Sequence, residues 1–316
     1  MSQAHHHSSQ ARAGLAYGLI AYGWWGLVPI YFKAVAHVPP LAVLAHRVVW
    51  SVVFLVVITA LQRKWRDIAA ISRDRRMLLT LMGSTAMVSI NWLLFIYAIS
   101  MNQLLQSSLA YFINPLLFVA MAVVLLKERL RAAQVIAIVI AAAGVLYMIV
   151  LGGQVPWLAL GMASSFALYG LLRKVAPVSP LVGLTVETLL LLPAALGIAA
   201  WYGVHQAASG GADETTYALL AFSGVVTTVP LLTFAAAARR LPLATIGFLQ
   251  YVAPTGQFLL AVFLYGEPFT RTDAICFTCI WLGLAIFSIS SLHSYRARGA
   301  AGEKATAPAP AAALPE

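Results

Sequence analysis

The sequence predicts an all-α polytopic membrane protein, with ten transmembrane helices built from two inverted five-helix repeats. Three observations lead there. Hydrophobic residues fill 61% of 316 positions and charged residues only 9%, with a mean hydropathy of +0.87, whereas a soluble domain needs far more charge on its surface. The apolar residues fall into windows of about twenty, the length that crosses a bilayer core. The second half of the chain also repeats the first at a nearly fixed spacing.

In chain order the windows run at 15–34, 41–61, 77–98, 104–126, 132–150, 156–172, 180–201, 216–238, 243–265 and 272–292. The first holds small residues for close packing (Gly14, Gly18, Gly23, Gly26) and the aromatics Tyr22, Trp24, Trp25 and Tyr31. It is too long and too aromatic for a signal peptide. The second carries His46 and Arg47, the third Ser89, Asn91, Trp92 and Phe95, and the fourth Ser107, Tyr111, Asn114 and Phe118 on one helical face. Gly144 in the fifth and Gly283 in the tenth suit helix contacts; the sixth window is short; the seventh holds Glu187. The ninth carries Gln250, Tyr251, Pro254 and Gln257, and the tenth the pair Cys276 and Cys279, read as apolar thiols facing a neighbour. Pro29, Pro115, Pro193, Pro230 and Pro254 read as kinks, because neighbouring helices can satisfy the carbonyls they free.

All but three of the twenty Lys and Arg fall on segments that share one side if the N-terminus is cytoplasmic: Arg12, the 63–76 cluster, Lys127, Arg129 and Arg131, Arg173 and Lys174, Arg239 and Arg240, then Arg296, Arg298 and Lys304. Only Lys33 and Arg271 lie outside, and Arg47 lies within a span. This bias places both termini in the cytoplasm of a bacterial inner membrane, with the basic face toward anionic lipids. The charges are short clusters between spans, so the net charge of +10 does not describe a nucleic-acid footprint. Residues 1–11, with His5, His6 and His7, read as a flexible cytoplasmic arm, and residues 297–316 as a disordered Ala- and Pro-rich tail.

Position n matches n + 139 or n + 140. Tyr111, Phe112 and Pro115 return as Gln250, Tyr251 and Pro254; Leu125 to Glu128 as Leu264 to Glu267; Gly144 as Gly283; Phe95 and Ala98 as Phe234 and Ala237; Pro40-Leu41 as Pro180-Leu181. The units are residues 12–150 and 151–296. An odd number of spans per unit inverts the second copy, and inverted repeats let one sequence plan adopt two conformations around a central site.

Intramembrane charges need a reason to persist. Arg47 and Glu187 occupy equivalent repeat positions. They read either as cavity groups, with Arg47 meeting an anion and Glu187 a cation or proton, or as braces between helices. Arg47 is also shallow enough to snorkel outward. Asn91 and Asn114 read equally as solute contacts and as interhelical glue, and Gln257 as glue. Glu128 and Glu267 read as caps on the first turn of the following helix, and Asp213-Glu214 as a polar outer loop.

Several runs carry a family resemblance: Ala21-Tyr22 with Trp25-Gly26, His46-Arg47-Val48-Val49-Trp50, Asn91 to Phe95, Tyr111 to Pro115, Gly224 to Leu231, Gly247-Phe248 before Gln250-Tyr251, and Tyr265-Gly266-Glu267. Over about residues 12–292 the chain resembles EamA-domain permeases of the drug/metabolite transporter superfamily, and within it the RarD group, labelled by a chloramphenicol-sensitivity phenotype. The resemblance implies a ten-helix permease with a cavity lined by spans one, three, four, six, eight and nine, and with spans five and ten peripheral. It supports Trp25, Asn91, Tyr111, Asn114, Gln250 and Tyr251 as cavity residues. It implies export of a small metabolite, amino acid or drug-like solute, with protons or a cation as the candidate coupling partners. The spans show no metal cluster, nucleophile triad or phosphate loop, so neither an enzyme, a bound cofactor nor an ATP-driven pump is expected. A scaffold or sensor without transport and a narrow channel are the alternatives.

Overall fold

The computed structural model describes residues 2–126, 132–153, 155–208, 213–241 and 243–306. Helix dominates them, as hydrocarbon requires: with no water to bond to, backbone groups must pair within their own segment. The helices are α1 (Ser2–Ala34), α2 (Pro40–Leu61), α3 (Trp65–Arg73), α4 (Arg75–Ser100), α5 (Leu104–Leu126), α6 (Ala132–Gly152), α7 (Trp157–Val175), α8 (Pro180–Ala208), α9 (Glu214–Ala238), α10 (Leu243–Leu249), α11 (Val252–Leu259) and α12 (Arg271–Thr306). A π-helical turn at Leu260–Leu264 extends α11.

Among the described residues eight helices are long and apolar enough to cross a membrane, counting Thr245–Leu264 as one, and Leu104–Phe118 of α5 is a shorter apolar stretch. Ten were expected. The two windows outside the eight belong to α5 and to α7, a 19-residue helix that ends on Arg173 and Lys174. Large side chains face outward along the bundle, among them Leu27, Val57, Val139 and Phe263, as lipid contact allows.

Helical backbone also covers the polar ends. α1 starts at Ser2, and α12 runs on to Thr306, so helix extends through most of the residues read as an arm and into the tail. An Ala-rich extension adds one hydrogen bond per residue to a helix already nucleated by its span. Glu128 and its neighbours Lys127, Arg129 and Arg131 lie outside the described residues.

Two local features depart from the pattern of simple spans. The link between α2 and α4 forms α3, which buries Ile71 against Leu81, Ala176, Val182 and Val186 while leaving Arg66 and Asp67 exposed, the arrangement of an interfacial helix. Asp74 then caps α4 by accepting from the amides of Arg76 and Met77 at 3.0 and 3.1 Å. The ninth window is broken at Gln250–Tyr251. Pro254 has no N–H, and its ring clashes with the carbonyl four residues back, at Gln250. The proline at the matching point of the first repeat, Pro115, stays inside continuous helix.

α6 and α12 pack along each other. Their spanning windows are 22% and 28% buried, against 28% for Thr245–Leu264 and 39% for α1, α2, α4, α8 and α9. Glycines set the spacing of the pair. A Cβ on Gly144 would lie 2.6 Å from that of Cys279, and one on Gly283 would lie 2.7 Å from the Ala137 carbonyl oxygen. The cysteines therefore sit as expected, in a helix seam. Elsewhere a Cβ on Gly224 would meet the Trp50 carbonyl group at 2.8 Å, whereas Gly197 has nothing within 4 Å. Gly224→Ala and Gly283→Ala are each expected to cost about 1–3 kcal/mol by overpacking. Gly197→Ala should be neutral or slightly stabilising. Thermal unfolding of the purified variants in detergent checks the ranking.

Candidate functional site

Pro39 and Pro40 open α2, and Arg47 follows about two turns later. Arg47 does not snorkel. Its Nε donates to Thr227 Oγ1 on α9 at 2.9 Å, and that hydroxyl donates in turn to the Ser223 carbonyl at 2.9 Å. The guanidinium carbon lies 4.3 Å from the Trp92 ring centre and 5.6 Å from that of Phe32, both within cation–π reach. Tyr31 and Tyr111 stand within electrostatic range. Side chains from α1, α2, α4, α5 and α9 thus converge on one cation that remains only half-buried.

The other sequence candidates are placed as follows. Tyr111 packs edge-on against Phe95 and Phe166, beside the Arg47 group. Asn114 is buried, and its Oδ1 has no hydrogen-bond partner among the described residues. Asn91 is 1% exposed and donates Nδ2 to the Met162 carbonyl at 2.9 Å, tying α4 to α7. Trp25 stacks with Tyr22 and Phe234, and its carbonyl accepts from Gln257 Nε2 at 3.2 Å. Gln257 also accepts from Ser107 at 2.9 Å, so its reading as glue holds. Gln250 is half-buried at the break in span nine. Tyr251 lines an open groove of about 520 Å³ with Phe112, Phe248, Phe258 and Trp281. That groove is almost wholly apolar and faces outward past the exposed Phe248 and Leu259, so it offers little to a polar solute. His46 turns its ring toward Tyr202.

Glu187 lies apart from Arg47. It is fully buried and accepts from Ser84 Oγ at 2.6 Å and from the Tyr169 hydroxyl at 3.4 Å. The Arg173 Nε stands 3.9 Å away. The group joins α4, α7 and α8. Sequence reasoning missed Arg173 as a partner, having placed it with the loop cations.

A third polar group gathers at the bundle end where α1 and α4 finish. Lys33 hydrogen-bonds Asn102 and lies 5.1 Å from the centre of the Tyr265 ring. Gly266 adopts φ +62°, a turn that favours glycine and aims Glu267 back into the protein. Its two carboxylate oxygens accept from the amides of Leu104 and Leu105, each at 2.7 Å. Glu267 therefore caps α5 across the repeats, a correction to the expected cap on its own following helix. That helix is capped locally by Thr270 with Asp273. Asp213 likewise proves to be a cap, on α9. The Thr216 hydroxyl and amide hold its carboxyl below the ordinary value. The cap's contribution is thus present above the usual carboxylate range and lost as pH falls through the lowered value.

The model of the EamA-like transporter family matches residues 12–150 and again residues 155–289. The chain belongs to that family. An uncharacterized transporter of Vibrio cholerae is 44% identical over 90% of this chain and 94% of its own length. Protein RarD of Escherichia coli K12 is 41% identical over 92% and 98%. A solved crystal structure shares the fold at a TM-score of 0.53 and 19% identity, covering 87% of this chain and 96% of its own. Family membership makes this a multi-pass transporter of the bacterial inner membrane and not an enzyme. No group of residues suited to a metal ion occurs among the described ones.

Glu187 is tied to α4 and α7 by its contacts with Ser84, Tyr169 and Arg173. Glu187→Ala is expected to lower stability by about 3–5 kcal/mol, the cost of stranding one partner of a buried pair. Glu187→Gln, which can still bond Ser84, should lose less. Chemical or thermal unfolding in detergent tests this, and a Glu187→Ala protein within 1 kcal/mol of the parent would count against the brace.

Proposed function

We propose that this protein is a secondary transporter that exports a small organic solute by alternating access through a central cavity. Its ten spans form two inverted five-helix repeats, and both termini are cytoplasmic. The register pairs α1 with α7, α2 with α8, α4 with α9, α5 with α11 and α6 with α12. Under that exchange the helix packing maps onto itself: α1–α9 onto α4–α7, α5–α7 onto α1–α11, and α2–α9 onto α4–α8.

The observation that carries the reading is where this mapping fails. α1 and α2 both pack on α4, while their counterparts α7 and α8 make at most marginal contact with α9. At the packed end Phe32 and Phe95 meet edge to face at 5.7 Å, next to the Lys33–Asn102 bond. With cytoplasmic termini that end is the outer one. The chain is then sealed outside and open inside, and the opposite state arises when each repeat takes the other's packing. A narrow channel is the poorer reading, because an aromatic seal closes one end.

The cavity candidates that stay with this proposal are Trp25, Tyr111, Asn114, Gln250 and Arg47; Asn91 and Glu187 hold helices together. Counterflow in proteoliposomes against amphenicols, amino acids and related metabolites is expected to show saturable exchange of at least one solute. Asn114→Ala should reduce it, and a pH gradient should alter it only where protons are coupled. In cells, a cysteine at Phe234 should be labelled from the cytoplasmic side faster than one at Phe95 from outside. Absence of exchange for every solute, in folded and correctly oriented protein, would remove the carrier reading.

A further inference from the structure

We infer that Arg47 is the anchor of an oxyanion site, and that the solute carries a carboxylate next to a planar ring. The inference rests on the central-cavity reading above and adds the chemical class of the ligand.

The first argument is charge balance. A guanidinium within a membrane span is costly unless paired, and buried charges in proteins normally meet a counter-ion. Among the described residues the ion pairs are Lys64 with Asp67 and Arg173 with Glu187; Arg47 has none. Glu187, at its equivalent repeat position, is engaged by Ser84, Tyr169 and Arg173 and does not neutralise it. The positive charge is therefore left for something that arrives from outside the protein.

The second argument is directional. A guanidinium presents five N–H donors in a flat fork. Arg47 commits Nε to Thr227, which fixes the plane of the group and leaves the terminal Nη1–Nη2 edge. No hydrogen bond to a described residue occupies that edge, and the side chain is only half-buried. Two parallel N–H groups on one edge match the two oxygens of a carboxylate. Because the Thr227 hydroxyl donates its hydrogen bond to the Ser223 carbonyl, its oxygen is oriented as an acceptor toward Arg47 and does not compete with an anion.

The third argument concerns what surrounds the fork. The Trp92 ring lies beneath the guanidinium, and Tyr31 and Tyr111 lie around it. The Tyr31 hydroxyl is spent on the Leu219 carbonyl at 2.8 Å, whereas no described hydrogen bond engages that of Tyr111. An aromatic wall with one free hydroxyl suits a ring attached to the anion better than a small inorganic ion, which would gain nothing from stacking.

Binding is measured with purified protein in nanodiscs of zwitterionic lipid, so that no anionic headgroup competes. The probes are benzoate and its neutral isostere benzamide, followed by tryptophan fluorescence, with acetate as the ringless anion. Benzoate is expected to bind more tightly than benzamide and acetate. Arg47→Gln should weaken benzoate by about 10- to 100-fold, the range for losing charge-assisted hydrogen bonds, and leave benzamide nearly unchanged. Arg47→Lys keeps the charge without the fork and should fall between. Thr227→Val, which frees the plane of the guanidinium and keeps its charge, should weaken benzoate less than Arg47→Gln does. Equal affinity for benzoate and benzamide overturns the inference. So does an Arg47→Gln protein, monodisperse and melting like the parent, that binds benzoate undiminished. Binding of benzoate through Arg47 with no flux of any solute would remove the carrier reading alone. Saturable flux that ignores solute charge and the Arg47→Gln change would remove the oxyanion site alone.

Discussion

Inside a bilayer a polar group has no water to fall back on, and nearly everything specific about this structure follows from how each such group is partnered. Asn91 spends its amide on Met162, Gln257 bridges Ser107 and Trp25, and Ser108 takes the Pro254 carbonyl at 2.9 Å. Each bond crosses between helices. Lipid is as apolar as leucine, so apolar packing does not by itself select one helix neighbour over another. The polar ties and the glycine contacts supply that selection. Arg47 is held in place with part of its capacity unused, as is Asn114, and the oxyanion site inferred above rests on that surplus.

The same principle accounts for the two intramembrane charges having different fates. Arg47 and Glu187 occupy matching positions, yet one stands among aromatic faces and the other is enclosed by donors. In the inverted pair proposed above, the matching positions lie at opposite depths and see different neighbours, and the side chains around each set its chemistry.

Much of this was legible in the sequence. Span positions follow from hydropathy, and the repeat follows from spacing that survives across several helices, as with Gly144 and Gly283. Arg47 stood out because charge is rare inside spans. What the sequence withheld depends on three-dimensional neighbours. Pro115 and Pro254 are equivalent in register, and only the latter breaks its helix, so the residue alone does not decide. Glu267 was visible as a marker at a membrane boundary, but its partners, the amides of Leu104 and Leu105, lie more than 160 residues earlier. α3 escaped because a 9-residue helix among loop cations has too few turns to show a period.

The seal at the end where α1 and α4 finish combines two kinds of contact with different responses to the surroundings. The Phe32–Phe95 ring contact is buried and indifferent to ions. The Lys33 contacts with Asn102 and Tyr265 lie near the surface, where its attraction to Glu267 weakens as ionic strength rises. In the orientation proposed above, a rise in external salt weakens the charged half of this latch and leaves the other intact. The electrolyte then tunes how long the proposed inward-open state persists.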